Sequence, residues 1–262
     1  MGSASIQAPL WGHYPTEWAS IQEATGIAGY EFVLAHLTWR QGNTLLDVGC
    51  GSGIFAKMAA DKGAAVTGLD ASPSLIEQAK KRAPGLPFLT GEMEELPFDD
   101  HSFDIVTGFN SFQYAASVSN AFNEARRVLK PGGQLAVMIW GNKEDCEAAT
   151  YLKAVGSLLP PPPPGAGGPF ALSENQLLEK TLTTAGFDIT SVTDIPTLWD
   201  YPDLKTAMSG LLSAGPAVKA IQHSGYDKVY ETLTAAVKPY QQADGHVRYH
   251  NKFRIVLAGN SL

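Results

Sequence analysis

From residue 44 onward, short apolar runs and amphipathic segments take turns along the chain. Thr44-Leu45-Leu46-Asp47-Val48 is nearly continuous in apolar residues and breaks off at glycines, the pattern of a strand buried on both faces. Ile54, Phe55, Met58 and Ala59 then recur at helical spacing until Gly63 stops them. Residues 65–69 read as a second strand, and Ser72-Pro73 as an N-cap with proline in the first helical position, opening a helix that runs to about Arg82. Residues 88–90 and 103–109 are expected to be strands and 119–129 a helix. The turn Pro131-Gly132-Gly133 then leads into a strand at 134–140. Residues 160–169, rich in proline and glycine, can be neither helix nor central strand and read as an exposed, stiff connector. Beyond them the pattern predicts a helix over 173–185, a strand over 187–195, a helical insertion over 203–241 and a closing strand over 246–258. Such alternation implies an α/β fold, a largely parallel sheet with helices on both faces and ligands at the carboxyl ends of its strands.

Composition narrows the partners. Over 262 residues there are 26 acidic against 19 basic side chains, a formal net charge of −7, and no basic run to neutralise phosphates. Lys80-Lys81-Arg82 is the longest basic cluster and reads as the solvated end of a helix. Nucleic acid is therefore not expected as a partner. Two cysteines, Cys50 and Cys146, make neither a disulfide framework nor a metal knuckle, so no metal is expected. With no basic residue ahead of Arg40 and no apolar run long enough to span a bilayer, the expectation is a cytoplasmic protein without a membrane partner, monomeric or homodimeric.

The strongest chemical signal is Asp47-Val48-Gly49-Cys50-Gly51-Ser52-Gly53 at a strand-to-helix junction. Glycines there let the backbone turn tightly and approach a ligand. A dinucleotide fingerprint wants a glycine where Ile54 stands, and Asp47 would repel a pyrophosphate while favouring a ligand that carries ammonium and sulfonium charges. A generic glycine turn and a nicotinamide site stay as rivals on spacing alone.

Asp47 to Gly53 resembles motif I of the class I S-adenosylmethionine-dependent methyltransferases. The resemblance implies a Rossmann-like three-layer sandwich, with a mostly parallel seven-stranded sheet whose last strand is antiparallel, and helical lid insertions. It is strong over 41–140 and looser over 173–195 and 246–258. It implies a binding domain over 41–262, a helical lid over 1–40, and S-adenosyl-L-methionine as cofactor. Its binding set would be Asp47, Gly49, Cys50, Gly51, Gly53, Asp70, Ala71, Glu92, Met93 and Asn110. Asp70 would accept from the ribose hydroxyls, Glu92 from the adenine amino group, with Met93 against the adenine ring and Asn110 on the methionine portion. Glu92 departs from the family's usual Asp, and Glu94 and Glu95 read as a solvated acidic loop. Trp11, His13, Tyr14, Trp18 and Gln22 would fold over the cofactor, or else form an amphipathic helix packed on the sheet edge.

Transfer of an activated methyl group to a small, apolar or aromatic metabolite is the expected reaction, the acceptor atom (O, N or C) being open. Trp18, Phe112, Tyr114 and Trp140, together with Phe109, are the candidates to line its pocket. Of the six histidines, His36 falls in an apolar helical pattern and His101 in an acidic turn. His13, His223, His246 and His250 are the candidate bases, none marked by spacing. The alternatives are a cofactor-bound enzyme that catalyses a rearrangement without methylating, a nicotinamide-dependent oxidoreductase, and a cofactor-binding scaffold without turnover.

Overall fold

The structure, a computed structural model, describes residues 2–161 and 167–260. Its centre is a seven-stranded sheet in the order β3-β2-β1-β4-β5-β7-β6. The strands are β1 (Thr44–Val48), β2 (Ala65–Asp70), β3 (Phe88–Thr90), β4 (Phe103–Phe109), β5 (Leu129–Trp140), β6 (Asp188–Tyr201) and β7 (Val247–Gly259). The first five are parallel, and β7 enters antiparallel between β5 and β6. The fold expected from the sequence is thereby met.

Side-chain alternation sorts the core into two layers. Along β5, Ala136, Met138 and Trp140 face one layer, while Leu135, Val137 and Ile139 face the other. The first layer takes α3 (Ile27–His36), α4 (Ile54–Asp61) and α5 (Pro73–Arg82). It also takes α7 (Ala149–Ser157), α9 (Leu204–Leu212), α10 (Gly215–Ser224) and α11 (Tyr226–Val237). The second layer takes α6 (Val118–Val128) and α8 (Leu177–Thr184). The Ser72 hydroxyl accepts from the Leu75 amide at 3.3 Å, with Pro73 in the first turn of α5, as the sequence implied.

Several elements depart from the sequence pattern. The N-terminal stretch is broken into α1 (Ala4–Trp11), a short α2 (Pro15–Glu17), a π-helical turn Trp18–Gln22 and a 3-10 turn Glu23–Gly26 before α3. The helix expected over 173–185 is split, because Asn175 and Gln176 adopt φ of 52° and 58° and end the 3-10 turn Ala171–Gln176 ahead of α8. Strand β6 continues to Tyr201, six residues beyond the expected end, held throughout by β7. Helix α7 lay in a stretch without a sequence signal. Part of the proline-rich connector, residues 162–166, lies outside the described residues; Pro160, Pro161 and 167–169 are exposed. The 203–241 insertion is helical as expected, and α10 packs against α1, with Gly215 under the Trp11 ring. Among the described residues no helix is long and apolar enough to cross a membrane.

Candidate active site

The site forms at the carboxyl ends of β1, β2 and β4. Leaving β1, the chain turns through Gly49 and Gly51, at φ of 73° and 54°, a region that only glycine enters freely. A side chain at Gly49 would also fall 2.3 Å from the Ser111 Cβ. The loop is pinned by the Leu69 carbonyl, which accepts from Gly49 at 2.7 Å and Cys50 at 3.0 Å. Asp70, at the end of β2, accepts from the Gly51 amide at 2.9 Å and the Ser72 amide at 2.8 Å. Burial pushes the Asp70 carboxyl above its ordinary range, against the pull of these amides.

The N-terminal segment is fastened to this loop from the other side. Glu23 is buried and accepts from the Ser52 amide at 2.9 Å and from the Ser52 hydroxyl. Arg82 donates to Glu23 at 2.9 Å, to the Ser52 carbonyl at 2.7 Å and to the Ala19 carbonyl at 2.6 Å. Burial raises the Glu23 carboxyl, with Ser52 and Arg82 pulling it back down. Arg82 is thus no solvated helix end. It is the clasp between α5 and the N-terminal turn, a role that only the tertiary fold discloses.

A second fastening lies at the acidic loop after β3. Glu92 accepts from the Ala4 amide at 2.6 Å and from Glu94's amide at 3.1 Å. Glu94 accepts from Ser3 at 3.1 Å, Ala116 at 2.8 Å and Ser117 at 2.9 Å. The expectation of a merely solvated loop therefore fails for Glu94, whose carboxylate ties three backbone amides, and holds for exposed Glu95.

Between these fastenings runs a cavity of about 1200 Å³, its open mouth included. Of the sequence candidates, Gly49, Gly51, Asp70, Ala71, Glu92, Met93, Asn110, Trp18, Tyr114 and Trp140 line it. So do Trp11, Gln22 and Phe109, whereas His13 and Tyr14 do not. Asn110 sits at φ 50° directly after β4; its amide donates to Met138 at 2.8 Å and its buried Oδ1 has no partner. The buried Trp18 indole N–H is likewise unpartnered, 3.3 Å from where a Cβ on Gly51 would stand. Trp18 is therefore beside the glycine loop rather than at the far, aromatic end.

Other candidates fall outside the lining. Asp47 lies behind the loop, accepting from the Thr107 hydroxyl at 2.9 Å, and burial pushes its carboxyl up to about 7, the Glu23 and Asp70 charges adding to the rise. Cys50 is buried, and Gly53 starts α4 at φ 80°. Phe112 turns into the second core layer against Phe122, ring centroids 4.7 Å apart. None of the four candidate histidines reaches the cavity. His13 packs on Tyr14, His223 ends α10, and His246 bonds Asp200 at 2.6 Å. His250 is turned out by the alternation of β7, which carries Tyr249 and Asn251 inward. Sequence reasoning missed Tyr30, Tyr151, Trp199 and Phe253, all in the lining, whereas Gln113 belongs to the stretch after β4 expected to face the ligand. Trp140 gathers the far end, with Trp199 at 5.3 Å and Phe253 at 5.4 Å between ring centroids. The signal was there in part, since Trp199 and Tyr201 are the buried positions of a period-two strand.

Residues 46–137 match the family model of a methyltransferase domain. Fold, glycine loop and this match together define the class: residues 46–137 are a methyltransferase domain, and the chain is similar to the class I S-adenosylmethionine-dependent methyltransferases. A demethylmenaquinone methyltransferase of Chlorobaculum tepidum is 42% identical over 90 residues, 34% of this chain and 37% of that protein. A malonyl-[acyl-carrier protein] O-methyltransferase of Erwinia pyrifoliae is 31% identical over 180 residues, 67% of this chain and 64% of its own. The chain thus spans less than two thirds of the length of these curated relatives. In fold it is similar to the [4+2]-cyclase SpnF, with a TM-score of 0.59 and 22% identity over 90% of this chain and 81% of that one.

Proposed function

We propose that this protein binds S-adenosylmethionine at the glycine loop and transfers its methyl group to a small apolar or aromatic acceptor. The observation that carries the reading is one continuous cavity, with Asp70, Met93 and Asn110 at one end and Trp140, Trp199 and Phe253 at the other. The lining suits such a cofactor. Asn110 Oδ1 and the Trp18 N–H are buried without partners, an acceptor and a donor for the methionine ammonium and carboxylate. Asp70 uses one lone pair on each oxygen for Gly51 and Ser72, which leaves acceptor capacity for two ribose hydroxyls. Glu92 keeps a remaining lone pair for an adenine amino group despite its bond to Ala4, and Met93 offers a polarisable face to the ring.

When bound, the cofactor supplies a methyl group already activated on sulfur. The chain's own residues then have to align the acceptor with that methyl and keep water out. Trp11, Trp18 and α10 close over the cavity, and for that reason we assign 1–40 and 203–241 as covers on a binding domain spanning 41–262.

Calorimetric titration with S-adenosylmethionine and S-adenosylhomocysteine tests the binding half. The native protein is expected to bind both, and Asp70→Ala to weaken each by at least about tenfold, the loss of one charged hydrogen bond or more. Folded native protein that binds neither ligand ends the proposal. S-adenosylhomocysteine formation across a panel of acceptors tests the transfer half. Acceptor turnover without that product would instead mark a rearrangement, the chemistry of a cyclase.

A further inference from the structure

The cavity lining is rich in aromatic surface and contains two polar groups left over by the fold. Neither the Nε2 nor the Oε1 of Gln113 makes a hydrogen bond of good geometry, although both are buried and the Tyr114 hydroxyl stands near the amide; the Trp199 indole nitrogen is likewise buried without a partner. Tyr151, by contrast, spends its hydroxyl on the Leu211 carbonyl at 2.7 Å. Gln113 lies on the 3-10 turn Phe112–Tyr114, three residues after Asn110 and one before Tyr114, all three residues in the lining. Its neighbour Tyr114 packs edge to face on Trp11 at 5.0 Å, so this turn borders the cavity under the N-terminal cover.

Charge sets a further restriction. Among the described residues no lysine, arginine or histidine lines the cavity, while Glu23, Asp70 and Glu92 do. The remaining residues, Met1, 162–166, Ser261 and Leu262, include no basic side chain. The guanidinium of Arg82 is held by Glu23, Ser52 and Ala19 outside the lining. Apart from the charges of the cofactor itself, a carboxylate or phosphate entering beside it would lose its hydration with no cation of the protein to replace it. An uncharged group could take the Gln113 amide as both donor and acceptor and satisfy atoms the fold leaves bare.

We propose that Gln113 is a specificity-determining residue: it receives the hydroxyl or carbonyl edge of an uncharged, flat acceptor, and the chamber rejects anionic analogues of the same shape. The inference rests on the cofactor reading above, in which the part of the cavity left free by the cofactor holds the acceptor. A site tuned to hydrogen-bond a hydroxyl discriminates strongly against analogues lacking it, because its own polar groups are then left unpaired.

The test uses the full chain saturated with S-adenosylhomocysteine and titrated calorimetrically at pH 7 with 2-naphthol, 2-naphthoate and naphthalene. The expected result is 2-naphthol binding at least about tenfold tighter than 2-naphthoate, the ratio carried by about one charged-group mismatch. Gln113→Leu, near in size, should weaken 2-naphthol by roughly tenfold and leave naphthalene unchanged, as expected for one lost hydrogen bond. Gln113→Met provides a second variant, and the thermal melts of both establish that they are folded. Equal affinity for 2-naphthol and 2-naphthoate overturns the proposal, as does 2-naphthol binding that neither substitution alters, or no 2-naphthol binding at all. Failure of S-adenosylhomocysteine to bind, measured first in the same cell, counts against the cofactor reading alone. The three probes are then compared on the ligand-free protein by the same criteria.

Discussion

Asp47 accepts one side-chain hydrogen bond, from Thr107, in a fully buried position. Its carboxyl is pushed up to about 7, first by burial and then by the Glu23 and Asp70 charges. An unfolded aspartate titrates near 4, so the folded state holds a proton that the unfolded chain releases. The corresponding stability is complete below about pH 4 and is lost as pH rises through about 7. Asp47→Asn keeps an acceptor for Thr107 and removes the titration. Between pH 5 and 8 the variant's unfolding free energy should therefore fall less than the native protein's, by on the order of 2 kcal/mol, as read by denaturant melts. An identical pH dependence in both would remove Asp47 as the source. At this scale the sequence disclosed what is local. Asp70 closes a strand, Met93 and Asn110 come shortly after one, and a strand end can be found from pattern. Trp199 could not be named as a pocket residue, because its ring neighbours Trp140 and Tyr249 arrive from β5 and β7, far along the chain. The histidines misled for a related reason: a residue type offers a base, but the pleat of β7 turned His250 away.

Helix α1 is anchored at its beginning by carboxylates that belong to a loop some ninety residues later. Ser3 and Ala4 supply amides that a helix start leaves without intrahelical partners, and Glu94 and Glu92 accept them. A negative charge at that end also suits the helix dipole. Glu94→Ala frees the Ser3, Ala116 and Ser117 amides together. Hydrogen exchange in α1 should then speed up by at least about tenfold, with a loss of about 1–2 kcal/mol in overall stability. Unchanged protection of α1 would mean that its apolar contacts alone keep it docked. The regular elements were legible wherever a pattern ran long enough, as in β1, β4 and α5. The broken N-terminal helices were not predicted: Gly12 and Pro15 mark the first break, but the turns over 18–26 are held by Ser52 and Arg82 from elsewhere in the fold.

On the scale of the molecule, the cavity is bounded on one side by strand ends and on the other by two segments from opposite ends of the chain. Helix α1 and helix α10 meet where Trp11 lies over Gly215. A ligand that fills the cavity touches both, so S-adenosylhomocysteine should slow amide exchange in α1 and α10 together, by several-fold or more. Protection confined to the glycine loop would show that the two helices do not share in binding. The tertiary meeting of these helices had no sequence signature, since nothing local to either specifies the other.

The aromatic lining has an optical consequence. Of the five tryptophans, four (Trp11, Trp18, Trp140 and Trp199) border the cavity, and Trp39 stands apart with its indole bonded to the Leu34 carbonyl. Trp11 and Trp18 meet edge to face at 4.8 Å near the glycine loop, and Trp140 and Trp199 lie 5.3 Å apart at the far end. Each pair is close enough to couple electronically. The near-ultraviolet spectrum of this protein is therefore, for the most part, a spectrum of its cavity, with one chromophore pair at each end and no label required.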